Sequence, residues 1–160
     1  MQDSHTTNVL LVYPRIPDNT YWSYSYALSF IGKRAAMPPL GLTTVATMLP
    51  KDWNTRLIDE NVQSLGAEDY DWADLVFISG MLVQKGRLQE IVRDAKAAGR
   101  TTVVGGPYPT QFYEEIEEAD HFILGEAESG VLSKFVRDFR EDGARRVYLR
   151  HVMRKKDGEA

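Results

Sequence analysis

Small residues follow three apolar segments of this sequence, where a bound molecule could approach the main chain closely. Gly41 stands in addition at the start of a helical pattern. One glycine after a strand is often only a tight turn, but four such places at one sheet edge favour a ligand held through backbone contacts. The three segments are Ser79-Gly80-Met81-Leu82-Val83-Gln84, Gly105-Gly106-Pro107-Tyr108-Pro109 and Gly125-Glu126-Ala127-Glu128.

Metal binding and acid–base catalysis find little support in the residue types. The histidines, His5, His121 and His151, are scattered, and the chain has no cysteine, so it cannot hold an iron–sulfur cluster. No G-x-G-x-x-G follows the first apolar segment and no Walker motif occurs, which argues against nicotinamide cofactors and nucleoside triphosphates. Asn61 follows another apolar segment, where it could contact a ligand or cap a turn.

The elements that must position these residues alternate between strand and helix. Near-continuous apolar segments predict strands covered on both faces, and the spacing i, i+3, i+4, i+7 predicts helices at three places. The predicted strands are Val9–Tyr13, Arg56–Asp59, Leu75–Ser79, Thr101–Gly105 and His121–Leu124. The helical stripes are Leu42, Val45, Ala46 and Leu49; Leu88, Ile91, Val92 and Ala95; and Val131, Leu132, Phe135, Val136 and Phe139. This alternation predicts an α/β fold with a doubly wound, five-stranded parallel sheet.

The length and charge of the chain predict how many domains it has and which partners it lacks. Its 160 residues, 43% of them hydrophobic, predict one domain with a core over residues 8–140 and a basic tail over residues 144–160. Tyr148 and its neighbours form either a sixth strand or an ordered tail. A net charge of −4 with interspersed signs predicts no nucleic-acid partner. The polar start and the absence of a long apolar segment predict a cytoplasmic protein with no membrane partner.

One predicted connection, residues 14–37, is unusually long and rich in aromatic residues. Loops of that length are commonly functional or disordered, and this composition argues against disorder. Three interpretations stay open: a lid packed on the domain's own core, a wall for a large ligand, or a surface for a partner.

Several motifs in order resemble a known family. The sequence P-P-L-G-L at the first helix, S-G-M after the third strand and G-G-P after the fourth resembles the cobalamin-binding domain. More closely, the chain is similar to the amino-terminal domain of cobalamin-binding radical S-adenosylmethionine enzymes, in the subgroup of hopanoid modification. The similarity runs from about Asn8 to about Arg140. It rests on Tyr13-Pro14-Arg15, Thr20-Tyr21-Trp22-Ser23, Tyr26-Ala27-Leu28, Phe30-Ile31-Gly32-Lys33 and Met37-Pro38-Pro39-Leu40-Gly41-Leu42.

The resemblance implies a Rossmann-like fold and cobalamin bound without a histidine ligand. The family motif D-x-H-x-x-G aligns with residues 36–41, where Pro38 replaces the histidine and only Gly41 is retained. Ser79 is then expected to contact the dimethylbenzimidazole tail, detached from cobalt, and Gly105 and Gly106 to leave room for it. The residues expected to contact the cofactor are Tyr13, Pro38, Leu40, Gly41, Asn61, Ser79, Gly80, Met81, Leu82, Val83, Gln84, Gly105, Gly106, Pro107, Tyr108, Gly125 and Glu126.

Radical S-adenosylmethionine chemistry needs three cysteines around a [4Fe–4S] cluster, and this chain has none. The resemblance therefore implies a corrinoid-binding module that is not catalytic alone. It would act as a carrier, as a sensor, or with a radical S-adenosylmethionine or methyltransferase protein. The alternatives are a degenerate domain that serves protein interaction without cofactor and a flavin or nucleotide binder.

Overall fold

A six-stranded parallel sheet forms the centre of the computed structural model, which describes residues 6–20, 23 and 38–150. The sheet order is β2-β1-β3-β4-β5-β6, and every neighbouring pair is parallel. The predicted α/β parallel fold is confirmed, with six strands instead of five. The strands are β1 (Asn8–Tyr13), β2 (Asn54–Asp59), β3 (Leu75–Ser79), β4 (Thr101–Gly105), β5 (His121–Leu124) and β6 (Val147–Leu149).

Helices cover both faces of the sheet and leave its carboxyl edge accessible. Two of them, α1 and α5, pack on one face, and the other three pack on the opposite face. Short 3₁₀ turns occupy residues 82–84, 113–115 and 127–129. The helices are α1 (Leu40–Met48), α2 (Ala67–Trp72), α3 (Lys85–Ala97), α4 (Pro107–Phe112) and α5 (Val131–Arg140).

Two apolar layers sandwich the strands, which explains why the strand sequences are apolar without a break. In β1, Leu10 and Val12 face the layer under α2, α3 and α4, whereas Val9 and Leu11 face the layer under α1 and α5. Because successive strand residues point to opposite faces, both faces of a buried strand need apolar side chains. This packing is what holds the strand ends in register at the edge.

The sixth strand settles the alternative left open at the end of the chain. β6 pairs with β5 through Ile123 and Tyr148, and the Tyr148 ring is buried against Phe135 of α5. The Tyr148 hydroxyl donates to Asp138 Oδ2 and accepts from the backbone N–H of Arg145. Aromatic contacts and this polar bridge therefore order a strand of only three residues.

Some expectations fall on parts of the chain outside the described residues. Tyr21, Trp22, Tyr24, Tyr26 and Phe30 of the long connection lie there, as do His5 and the basic tail beyond Arg150. Within the described ranges, no helix is long and apolar enough to cross a membrane.

Candidate functional site

A cavity of about 180 Å³ opens at the carboxyl edge of the sheet, between the ends of β3, β4 and β5 and the first turns of α1. We call it the edge cavity. Its lining comes from those strand ends, from α1 and from the turn after β5. The lining residues are Gly41, Leu42, Val45, Phe77, Ile78, Ser79, Val103, Gly105, Gly106, Ile123, Gly125, Glu126, Ala127 and Glu128.

Two consecutive glycines keep the strand ends close together at the mouth of this cavity. Ser79, Gly105 and Ile123 pair across β3, β4 and β5, so they lie side by side. A Cβ atom on Gly105 would lie 3.0 Å from the carbonyl oxygen of Ile123. One on Gly106, whose φ is +95°, would lie 2.5 Å from Ser79 Oγ. Any other residue at position 106 would thus have an unfavourable backbone conformation, and its Cβ would also clash with the Ser79 hydroxyl.

Gly41 and Gly125 keep space open on the other side of the mouth. Among the described residues, a Cβ atom at either position would meet no atom within 4 Å. Gly41 is the second residue of α1, and Gly125 follows β5 with a φ of +80°. Contacts with the described residues therefore do not require glycine at position 41. A ligand in the edge cavity would require it, because a side chain there would take up part of the space.

The inner walls of the edge cavity are apolar. Leu42 and Val45 project from α1, and Phe77, Val103 and Ile123 belong to the apolar layer on the same face of the sheet. A cavity of about 150 Å³ with such walls is enough to bind benzene. The edge cavity, open on one side, therefore fits a planar aromatic group with one end in solvent.

Among the described lining residues, the polar side chains are those of Ser79, Glu126 and Glu128, near the mouth. The carboxylates of Glu126 and Glu128 are on exposed residues. Within residues 6–20, 23 and 38–150, the Ser79 hydroxyl makes no hydrogen bond, although it lines the cavity. It is thus free to bond a ligand atom at the entrance.

Six of the predicted contact residues come together in this cavity, and six more lie at the same edge of the sheet. The six are Gly41, Ser79, Gly105, Gly106, Gly125 and Glu126. Pro38, Leu40, Met81, Leu82, Val83 and Pro107 lie at the same edge without lining the cavity. Leu40 is 69% exposed and Leu82 is 53% exposed. Both present exposed apolar surface at this edge of the sheet.

Gln84 does not reach the edge cavity, because its side chain is completely buried between two loops. Its Nε2 donates to the carbonyl oxygen of Pro14, and its Oε1 accepts from the backbone N–H of Met81 at 2.8 Å. Gly80 makes room for this amide, since a Cβ there would lie 3.4 Å from Gln84 Oε1 and 3.0 Å from Leu88 Cδ1. Gln84 therefore joins the loop after β1 to the turn after β3.

Asn61 and Glu60 hold the same loop from the side of β2. The Asn61 Oδ1 accepts from the backbone N–H of Ile16 at 2.9 Å, and Glu60 Oε2 accepts from the N–H of Arg15 at 3.2 Å. Arg87 of α3 fixes Glu60 through hydrogen bonds from Nε and Nη2. Asn61 thus fixes residues 14–16, the beginning of the long connection, and is not placed in the cavity.

Two predicted tyrosines are core residues in the structure. Tyr13 is buried in the apolar layer under α1, and this burial raises the pKa of its hydroxyl. Tyr108 is buried on the opposite face, where its hydroxyl accepts from Gln89 Nε2 and donates to Glu115 Oε2. The side chain of Tyr108 therefore points away from the edge cavity, because α4 packs on the other side of the sheet.

The cavity also contains residues that the sequence analysis did not assign to a site. Leu42 and Val45 belong to a helical stripe, and Phe77, Val103 and Ile123 to apolar strands, so their pattern predicts core residues. Their apolar pattern alone does not distinguish packing from a cavity wall. Glu128 follows the predicted Glu126 by two residues and could have been included on that spacing.

Metal ligation by side chains finds no support in the described part of the chain. No group of three or more histidine, aspartate or glutamate residues there is arranged to hold a metal ion. His121 lies at the amino end of β5, and its Nδ1 is 2.8 Å from the carbonyl oxygen of Arg145. It therefore lies at the end of the sheet opposite to the edge cavity.

Comparison with known proteins identifies the family. Residues 34–133 match the model of the B12 binding domain. The chain is 44% identical over 121 residues to an uncharacterized methyltransferase of Synechocystis sp., covering 74% of this chain and 22% of that protein. It is 32% identical over 139 residues to a hopanoid C-2 methylase of Rhodopseudomonas palustris, covering 81% of this chain and 25% of the relative.

A third relative, a bacteriochlorophyllide d C-12(1)-methyltransferase of Chlorobaculum tepidum, is 30% identical over 96 residues, which cover 59% of this chain and 21% of the relative. The matched region thus amounts to about a quarter of the length of these relatives or less. The expected resemblance and the expected cofactor are confirmed. The chain belongs to the B12-binding domain family, and its cofactor is cobalamin.

Proposed function

We propose that this domain holds cobalamin with the dimethylbenzimidazole tail detached from cobalt and inserted in the edge cavity. The observation that carries this proposal is the cavity itself, an apolar slot whose mouth is kept open by glycine. The open space at Gly41 supports it further, since packing of the protein does not explain the absence of a side chain there. Ser79, with its free hydroxyl at the mouth, would bond the nucleotide tail as it enters.

The corrin ring would rest on the carboxyl edge outside the cavity. This is the edge at which open α/β sheets bind their ligands. The exposed side chains of Leu40 and Leu82 offer apolar contacts at this edge. Backbone groups of the neighbouring turns would meet the amide side chains of the ring.

The protein would supply no histidine to the metal. In the family motif the ligating position aligns with Pro38, whose ring nitrogen is bonded to three carbons in the chain and has no free lone pair. When bound, the corrinoid supplies a cobalt centre that can exchange a methyl group, and the chain's part is to bind and orient it.

We further propose that the domain works in methyl transfer and is not catalytic alone. The three relatives carry the names of two methyltransferases and a methylase, and each is several times longer than the matched region. The described residues that line the edge cavity offer no paired acid and base. A radical S-adenosylmethionine domain or protein would be the catalytic partner.

Two other functions make different predictions. A degenerate domain that serves only protein interaction would not retain pigment. A flavin or nucleotide binder would show the absorbance or fluorescence of that ligand when purified. The glycine at position 41 argues against a degenerate site, because contacts with the described residues do not require glycine there.

The test is retention of hydroxocobalamin. The purified protein is mixed with the cofactor, desalted, and its visible spectrum is compared with free cobalamin at neutral and at strongly acidic pH, where the base is protonated and detached. We expect a corrinoid that co-elutes with the protein and has the spectrum of the detached form. Complete separation of protein and pigment would reject the proposal.

Introducing an imidazole at Pro38 should create a cobalt ligand. We expect Pro38→His, loaded with cobalamin and reduced to Co(II), to show nitrogen hyperfine splitting in its electron paramagnetic resonance spectrum. The parent protein and a Pro38→Ala control should show none, since neither carries a nitrogen ligand. An unsplit spectrum for Pro38→His would contradict the placement of residue 38 beneath the metal.

A further inference from the structure

We propose that the edge cavity selects corrinoids by their lower base, favouring the apolar dimethylbenzimidazole over a purine such as adenine. This inference rests on the proposed function, because it requires the detached base to lie in the edge cavity. It adds to that function the chemical class of corrinoid that the domain accepts.

The inner part of the edge cavity offers a base no side-chain partner for hydrogen bonding. Its walls are the aliphatic and aromatic side chains of Leu42, Val45, Phe77, Val103 and Ile123. Polar side chains of the lining occur only at the mouth. A base that enters fully would thus find no polar side chain deeper than Ser79, which is level with Ile123 and whose single hydroxyl can pair with only one ring nitrogen.

The hydroxyl groups of α1 are already used within the helix. Thr43 Oγ1 donates to the carbonyl oxygen of Pro39 at 2.8 Å, and Thr44 Oγ1 donates to that of Leu40 at 3.0 Å. Thr47 Oγ1 donates to the carbonyl oxygen of Thr44 at 2.7 Å. The only side chains that α1 contributes to the cavity lining are therefore those of Leu42 and Val45.

A purine loses more hydrogen bonds to water than dimethylbenzimidazole does when it enters an apolar cavity. Adenine carries an amino group and additional ring nitrogens, which hydrogen-bond to water and would be left unpaired against apolar walls. Dimethylbenzimidazole carries two methyl groups in their place, and these gain from burial. Adenine also coordinates cobalt more weakly, so detaching it is easier. A preference for cobalamin must therefore come from the cavity and not from the metal.

The experiment measures equilibrium dissociation constants for cobalamin and for the adenine-containing cobamide, with the 160-residue protein in equilibrium dialysis. We expect cobalamin to bind at least tenfold more tightly, which corresponds to about 1.4 kcal/mol. Cresolyl cobamide, whose apolar lower group cannot coordinate cobalt, should bind at least as well as cobalamin.

A polar group placed in the wall should weaken the selection. Val45→Asn supplies an amide to the inner cavity, and we expect it to reduce the ratio of the two dissociation constants at least threefold. Val45→Ala changes the same position of the wall without adding a polar group, and it should leave the ratio unchanged. Circular dichroism of both variants checks that α1 is retained.

The outcomes distinguish a failure of base selection from a failure of the proposed cobalamin binding. If cobalamin binds with its base detached but the ratio is below tenfold, or if Val45→Asn leaves the ratio unchanged, selection by the cavity walls is wrong and the proposed function stands. If cobalamin fails to bind, or binds with its base still on cobalt, the proposed function and this inference both fail.

Discussion

Replacing Gly41 by Phe is expected to lower the affinity for cobalamin at least a hundredfold, or about 2.7 kcal/mol. No atom of the described part of the chain lies within 4 Å of the position of a Cβ there, so the ring would project into the edge cavity. A phenyl group in a cavity of about 180 Å³ leaves no room for a second ring system. Isothermal titration calorimetry of the parent protein and the variant measures the loss.

The fold should survive this substitution. Gly41 is the second residue of α1, and a Cβ atom there would meet no atom of the described residues within 4 Å. Gly86→Phe is a matched control, because Gly86 is likewise the second residue of its helix, α3, and likewise has no atom within 4 Å of its Cβ position. Gly86 does not line the edge cavity, so its variant should retain binding. Equal affinities for all three proteins would contradict the location of the tail.

Gly105 and Gly106 are less informative positions for the same test. A side chain at Gly106 would collide with Ser79 Oγ, and one at Gly105 would press on the backbone of β5. Their substitution would therefore disturb the strand ends as well as the mouth of the cavity. A loss of binding in such variants would not separate a blocked site from a damaged fold.

Replacing Gln84 by Leu is expected to destabilise the protein by about 2–4 kcal/mol, because two buried hydrogen bonds are lost and their backbone partners stay behind. The Gln84 amide is completely buried and bonds both Pro14 O and Met81 N–H. Urea unfolding followed by circular dichroism measures the change. Tryptophan fluorescence provides a second signal for the same transition.

Gln89→Leu serves as the comparison for this substitution. Gln89 is half-buried and its amide makes one side-chain hydrogen bond, to the hydroxyl of Tyr108 at 2.9 Å. Water can replace that partner, so we expect a loss below about 1 kcal/mol. Equal losses for both variants would show that the contacts of Gln84 with Pro14 and Met81 contribute no special stability to the carboxyl edge.

The strands and the core could be predicted from the sequence because both depend on burial. The bounds of β3, β4 and β5 agree with those expected, and all four residues of the stripe Leu88, Ile91, Val92 and Ala95 are buried. A continuous apolar segment has few alternatives to a strand covered on both sides. Once the parallel strands are predicted, the glycines that follow them must lie at the carboxyl edge of the sheet.

The short helices and the directions of side chains could not be predicted in this way. Each of α2 and α4 has six residues, too few to show a helical period. Because α4 begins directly after Gly106 and packs on the far face, Tyr108 turns away from the cavity that Ser79 lines. Sequence order places both residues at one edge but does not tell on which face each side chain lies.

The arrangement of the bound cofactor is tested most directly by a crystal structure of the protein grown with hydroxocobalamin. We predict electron density for the dimethylbenzimidazole ring between α1 and the ends of β3, β4 and β5, in contact with Val45 and Phe77, with the corrin outside. Density that shows the base still bonded to cobalt, or this space filled by the protein's own side chains, would contradict the account.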